Sequence, residues 1–370
     1  MIVGILKEIK PEENRVAMTP SGVEIMTLNG HEVLVEQSAG LGSGFGDETY
    51  AAAGGKIIST GREIYGQAEM LMHVKEPLPS EYDSIRNNHI LFTYLHLAAN
   101  EGLARQLIES GSTNIAYETI ESPDGSLPLL TPMSEVAGRM AVQEGAKYLE
   151  RAQGGRGILL GGVTGVAPAT IVVIGGGIVG RNAALMACGL GAKVYILDKN
   201  ISCLRHLSEN MPKNCFPLMS SPALLREIVQ EADVVIGAVL VTGAKTPKLI
   251  TRAMLKTMKK GSVIIDVAID QGGCFETSRP TTHSNPIYTI DGVTHYCVTN
   301  MPGAVPITST MALTNATLPY ALEIACKGWK KAALDNPGIR CGLNIVDGKV
   351  THKGVADAFN LPYWPVDELL

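Results

Sequence analysis

The chain has 370 residues, of which 45% are apolar and 18% charged, and its net charge is −5. That length suits two globular domains with substantial cores rather than one. Mild acidity without a basic run argues against a nucleic-acid partner. Seven cysteines, an odd number without a CxxC pair, argue against a disulfide framework or a zinc site and for reduced thiols in a cytoplasmic protein.

In chain order, Met1 leads straight into Ile2-Val3-Gly4-Ile5-Leu6, which reads as a strand and not as a secretory leader. Short apolar runs then recur at Val3–Leu6, Glu32–Glu36, Leu71–Val74, Ile90–Leu95 and Asn114–Tyr117, with helical patterns between them. One helix follows Thr19-Pro20, an N-cap with proline at the first helical position. A long helical segment spans about 132–151, and a glycine-rich loop of unassigned role follows at 153–168. A second series of runs lies at Ile171–Ile174, Val194–Leu197, Cys215–Leu218, Val234–Val239, Ser262–Val267 and His295–Val298. Their Val and Ile content suits parallel strands buried on both faces. Another long helix, about 308–330, carries the chain back, and Leu361-Pro362-Tyr363-Trp364-Pro365 forms a tail. Residues 157–180 and 297–322 lack charge, but their glycines and prolines suit buried strand, loop and helix better than a membrane span. The expected fold class is α/β: two doubly wound, Rossmann-like domains with a catalytic cleft between them. Residues 1–130 and 306–370 would form a substrate domain, and 131–305 a dinucleotide-binding domain.

The second series opens with Ile171-Val172-Val173-Ile174-Gly175-Gly176-Gly177-Ile178-Val179-Gly180, a strand, a glycine turn and a helix start. The next strand ends in Asp198, 18 residues after Gly180. This is the order of the dinucleotide fingerprint. Gly175 permits the turn, Gly177 lets the backbone approach a pyrophosphate, and Gly180 lets helix and strand pack closely. The helix N-terminus offers N–H groups and a positive partial charge. Asp198 suits ribose hydroxyls and would repel a 2′-phosphate, so NAD is the expected cofactor.

Ligands of open α/β sheets bind beyond the carboxyl ends of strands. That rule selects Arg15 in the loop after the first strand, Lys75 and His96 after the third and fourth, and Asp270 after Ser262–Val267. Each has a plainer reading. For His96 it is a core or surface histidine, and for Lys75 a solvated loop lysine. For Arg15 it is a surface pair with Glu12 or Glu13, and for Asp270 a cap on the turn at Gly272-Gly273. Together they supply a base, an acid and two cations beside the expected nicotinamide.

At these residues the chain resembles the L-alanine dehydrogenase family. The resemblance rests on Gly4-Ile5-Leu6-Lys7-Glu8 with Glu13-Asn14-Arg15-Val16-Ala17, on Val74-Lys75-Glu76-Pro77, on Thr93-Tyr94-Leu95-His96-Leu97-Ala98 and on Pro132-Met133-Ser134-Glu135-Val136-Ala137-Gly138. Asp270-Gln271-Gly272-Gly273-Cys274-Phe275-Glu276, Arg279-Pro280-Thr281-Thr282, Asn300-Met301-Pro302 and Thr314-Asn315-Ala316-Thr317 extend it almost end to end. It implies reversible oxidative deamination of L-alanine to pyruvate and ammonium. His96 would be the acid/base, Asp270 the second catalytic residue, and Arg15 and Lys75 the substrate anchors. For the cofactor it points to Ser134, Ile178, Val179, Asp198, Ser220, Val239 and Leu240. It adds Val267, Ala268, Ile269 and Asp270, then Arg279, and finally Val298, Thr299, Asn300 and Met301. Some relatives place a basic cofactor contact where this chain has Cys203. Others bind magnesium through a glutamate and a histidine; here Glu323 is matched by Lys327, so no metal is expected. The resemblance also implies a homohexamer.

The family is similar to saccharopine dehydrogenases and to the NAD-binding part of proton-translocating transhydrogenase. The alternatives are therefore an oxidoreductase of another amino acid, of lysine or saccharopine type, or an NAD sensor without chemistry. The apparent pocket residues Tyr94 and Met133 suit a methyl-sized side chain, and all four charged strand-end residues are present.

Overall fold

The computed structural model describes residues 1–239 and 246–370. They divide into two compact units, Met1–Met133 with Val305–Leu370, and Ser134–Ala304. The strands are β1 (Ile2–Ile5), β2 (Glu32–Glu36), β3 (Lys56–Ile58), β4 (Met70–Met72), β5 (Ile90–Thr93) and β6 (Thr113–Ala116). Next come β7 (Thr170–Ile174), β8 (Lys193–Asp198), β9 (Cys215–Met219), β10 (Val234–Gly237), β11 (Val263–Asp266), β12 (Ile287–Ile290) and β13 (Val293–Tyr296). The chain then adds β14 (Leu343–Val346) and β15 (Lys349–Val350).

The first unit holds an eight-stranded sheet in the order β15-β14-β6-β5-β4-β1-β2-β3. β1 to β6 are parallel, and β14 and β15 add antiparallel at one edge. Ile5, Met72, Phe92 and Ile115 stand side by side in register. The segments leading to Arg15, Lys75, His96 and Glu118 therefore leave the same sheet edge. Leu6, Leu34, Leu71, Leu91 and Leu103 are almost fully buried in one apolar cluster, each worth about 1.5–3 kcal/mol relative to exposure. Thr19 caps the helix Pro20–Leu28, its side chain accepting from Gly22 N–H, with Pro20 in the first turn.

The second unit holds a seven-stranded sheet in the order β12-β13-β11-β10-β7-β8-β9, parallel except for β12. The chain runs from β7 outward to β8 and β9, then returns to β10 on the other side, so the strand order reverses between β7 and β10. Such a reversal opens a crevice at the carboxyl ends of the two strands. Val172, Ile174, Val235, Ile264 and Phe275 lie in the core that this sheet shares with its helices.

The α/β architecture is the one expected from the sequence. Several strands are shorter than their apolar runs. Val234–Val239 pairs only as Val234–Gly237, and Ile90–Leu95 only as Ile90–Thr93, because both chains leave the sheet to form the strand-end loops. β3, β14 and β15 have only two to four residues, too few for a periodic signal. The tail also contributes structure: Trp364 N–H donates to Val350 C=O at 2.9 Å. Among the described residues, no helix is long and apolar enough to cross a membrane.

Candidate active site

Arg15 lies beyond β1 and its side chain is only 2% exposed. Its Nε and Nη2 donate to the two carboxylate oxygens of Glu13 at 2.7 and 2.5 Å, and its Nη1 lies 3.1 Å from Met133 Sδ. Glu13 also accepts the Arg15 backbone N–H at 3.1 Å. The plainer expectation of pairing with Glu13 is thus met, but in the interior and not on the surface. Burial pulls the guanidinium toward neutrality, and the hydrogen bonds and charge of Glu13 reverse this, leaving its pKa above the ordinary arginine value.

Lys75 is half-buried beyond β4. Burial lowers its ammonium pKa below the ordinary lysine value, and the charge of Arg15 lowers it further. Lys10 Nζ pairs with Glu76 Oε1 at 2.5 Å, while the buried Glu76 Oε2 has no hydrogen-bond partner. Arg15 and Lys75 lie close enough at one sheet edge for their charges to interact, with the carboxylates of Glu13 and Glu76 beside them.

His96 follows β5 and is exposed, its side chain 47% accessible. Its backbone is left-handed, with φ 49° and ψ 37°, an uncommon state for a non-glycine residue that tends to occur at functional sites. Glu118, beyond β6, holds it there. Glu118 Oε1 accepts the His96 N–H at 2.5 Å, and both its oxygens accept the Leu95 N–H at 3.2 Å. The same carboxylate lies 3.9 Å from His96 Nδ1. The imidazole stacks on Tyr94, with ring planes 4° apart and centroids 5.8 Å apart. Tyr94 is anchored by its hydroxyl to Leu129 C=O at 2.5 Å. Glu118 was not singled out from the sequence, although the strand-end rule that selects His96 also selects it, two residues past β6.

In the second unit, the fingerprint glycines meet the constraints expected of them. Gly175 has φ +106°, and a Cβ there would strike the backbone of Ala238, just past β10. A Cβ on Gly180 would collide with the carbonyl of Gly175. Gly177 faces open space and has no side-chain cap bond at the start of the helix Ile178–Gly189. The first N–H groups of such a helix have no intrahelical partner. Asp198 ends β8. Its Oδ2 accepts Gly176 N–H at 2.7 Å and its Oδ1 accepts Asn200 N–H at 2.8 Å. Cys203 Sγ donates to Gly176 C=O at 3.4 Å. An open glycine turn, an uncapped helix start and a carboxylate one strand away fit a dinucleotide.

The other expected cofactor residues lie around the same sheet. Ser134 stands in the helix Thr131–Tyr148. Ser220 N–H donates to Asp198 C=O at 2.8 Å, at the end of β9. Ile178 and Val179 form the first turn of the fingerprint helix. Val239 follows β10, and Leu240 lies outside the described residues. Val267, Ala268, Ile269 and Asp270 form a 3-10 turn after β11, with Asp270 exposed. Arg279 stacks over Tyr288, 4.3 Å from its ring centroid. Val298, Thr299, Asn300 and Met301 follow β13, with Asn300 at φ +55°. Asp270 thus belongs to the second unit, whereas Arg15, Lys75 and His96 belong to the first.

Asp266, fully buried at the end of β11, was also missed. It accepts Cys274 N–H at 2.9 Å, Phe275 N–H at 3.3 Å and the Ser278 hydroxyl at 2.5 Å. Burial raises its pKa despite these bonds. Its signal was a lone charge inside an apolar run. On the returning helix Pro306–Lys327, Lys327 pairs with Glu323 at 2.8 Å. No group of three or more metal-ligating side chains occurs among the described residues.

Residues 4–137 match the model of the alanine dehydrogenase/PNT N-terminal domain, and residues 141–353 that of the C-terminal domain. An alanine dehydrogenase of Methanococcus maripaludis is 54% identical over all of both chains. One of Halomonas elongata is 56% identical over 98% of both. A solved L-alanine dehydrogenase superposes with a TM-score of 0.94 at 49% identity, covering 97% of this chain and 99% of its own. Full-length identity at this level, with both domain models matched in order and a nicotinamide-type fingerprint in the second, establishes that the chain belongs to the alanine dehydrogenase/PNT family.

Proposed function

We propose that the protein is an L-alanine dehydrogenase that catalyses L-alanine + NAD⁺ + H₂O ⇌ pyruvate + NH₄⁺ + NADH + H⁺. The observation that carries this reading is the row of adjacent strand ends holding Arg15, Lys75 and His96, in a chain whose full-length relatives are named for that activity. Arg15 and Lys75 would hold the substrate carboxylate, with Lys75 also near the keto oxygen. Such anchoring fixes Cα, and orientation supplies a large part of catalysis.

His96 would take a proton from the substrate ammonium before oxidation and release it to solvent, then take one from water as it adds to the imine and pass it to the departing amine nitrogen. Imidazoles exchange protons near neutral pH. Glu118 would keep the ring aimed through the backbone. Asp270 would stabilise the cationic imine or orient the attacking water. A nicotinamide held at the fingerprint turn would supply the acceptor for the Cα hydride. Asp198 would favour NAD over its phosphorylated form, since a carboxylate ending β8 would repel a phosphate on the ribose. By resemblance, the enzyme would work as a homohexamer in the cytoplasm, with no nucleic-acid or membrane partner.

His96→Ala tests the central role. Turnover should fall about 10²–10⁴-fold, the usual worth of general acid–base help, with NADH binding nearly intact. Wild-type turnover in this variant removes His96 from the mechanism.

A further inference from the structure

Beneath Lys75 lies a buried polar cluster to which the reaction above assigns no part. β4 ends at Met72, and its last ladder bond is from Leu6 N–H to Met72 C=O at 3.4 Å. The amides of Val74 and Lys75, two and three residues on, have left the sheet and need another acceptor. Glu8 supplies it: its Oε1 accepts Val74 N–H at 2.6 Å and Lys75 N–H at 3.3 Å. On the other side of the residue, the Thr93 hydroxyl donates to Lys75 C=O at 3.0 Å. The backbone of Lys75 is therefore held at both its N–H and its C=O.

Glu8 is held in turn. Its side chain is 5% exposed and lies 3.6 Å from Nδ1 of His73, itself 3% exposed. His73 Nε2 stands 3.7 Å from Glu81 Oε1 and 3.1 Å from the Tyr65 hydroxyl. An imidazole placed between Glu8 and Glu81 gives each of these largely buried charges a partner.

We propose that Glu8 is a positioning residue for Lys75: clamped by His73, its carboxylate fixes the Val74–Lys75 backbone and thereby aims the lysine ammonium at the substrate. The proposal rests on the reading that Lys75 is a substrate anchor. Glu8 acts on pyruvate through Lys75, so its loss shows in the pyruvate parameters and not in cofactor affinity.

The test compares Glu8→Ala, Glu8→Gln and Lys75→Ala in the full-length enzyme, with pyruvate KM and kcat, and NADH Kd by fluorescence. Glu8→Ala should lose about 10–10²-fold in pyruvate kcat/KM, as small misplacements of anchoring groups do, with NADH Kd unchanged. Glu8→Gln retains an oxygen for the two amides and should recover most of the loss. If Lys75→Ala loses pyruvate binding while Glu8→Ala keeps wild-type pyruvate kinetics, the positioning role falls and Lys75 stands. If Lys75→Ala itself keeps wild-type pyruvate kinetics, the anchor reading falls and takes the Glu8 role with it. Equal damage to NADH and pyruvate binding in Glu8→Ala would also overturn the proposal. Should Glu8→Ala fail to fold, Glu8→Asp carries the test. It keeps a charge beside His73 but withdraws it from the amides, so a pyruvate-specific loss is expected and wild-type kinetics would refute the role.

Discussion

Replacing Glu13 with glutamine would strip the buried Arg15 of its counter-charge while changing almost nothing in volume. Glu13 and Arg15 side chains are 0% and 2% exposed and share two hydrogen bonds, at 2.7 and 2.5 Å. Charge-assisted bonds of this kind contribute about 1.5–3 kcal/mol each, and removing one partner of a buried ion pair costs about 3–5 kcal/mol. In a unit of roughly 200 residues, where each kcal/mol moves Tm by about 2–4 °C, the loss should lower Tm by about 6–20 °C. Calorimetry of Glu13→Gln measures this, with pyruvate KM as a second readout that should rise. The double variant Glu13→Gln/Arg15→Met removes both charges and fills the space, so most of the lost Tm should return. Pyruvate binding should not return with it. If Glu13→Gln melts within about 2 °C of wild type, or the double variant is no more stable than the single one, the buried pair does not carry the energy assigned to it.

Two further outcomes follow from the geometry. Asp198→Asn keeps an acceptor for Gly176 but removes the charge, so NADH should bind more weakly and discrimination against NADPH should relax by about tenfold, or ~1.4 kcal/mol; titration of both cofactors checks this, and an unchanged preference counts against the role of Asp198. His73 has a pKa above the ordinary histidine value: burial alone would lower it, and Glu8 and then Glu81 more than reverse that effect. A raised folded-state pKa adds stability that is full below the unfolded value of roughly 6.5 and fades as pH rises through the folded value. The stability advantage of wild type over His73→Asn, measured as urea midpoints from acid to alkaline pH, should therefore be largest on the acid side; an advantage that grows with pH would contradict the assignment.

The α/β architecture was legible because parallel strands buried on both faces leave unbroken Val and Ile runs, as at Ile171–Ile174 and Val234–Ile236. The glycine turn was legible because each glycine answers a separate steric demand, such as the approach of Gly180 to the carbonyl of Gly175. The strand-end rule led to Arg15, Lys75 and His96 from position alone. The same rule points to Glu118, two residues past β6, but not to Glu8, and it does not say that either carboxylate acts on backbone. Glu118 holds the His96 N–H and Glu8 the amides before Lys75. Nothing in composition or periodicity distinguishes such residues from solvated surface acids; only the three-dimensional course of the loops supplies their partners. The same holds for Glu13, whose place in the sequence suggested a surface pair and whose place in the fold is interior.

Whether the protein oxidises L-alanine with NAD⁺ is decided by following nicotinamide reduction in purified protein with NAD⁺ and, separately, L-alanine, L-lysine and L-glutamate, with NADP⁺ as the cofactor control. Turnover with L-alanine and NAD⁺, and little with any other pairing, is the predicted result. Silence with L-alanine alongside activity on a larger amino acid would contradict the proposed substrate, and silence with all three would contradict the proposed chemistry.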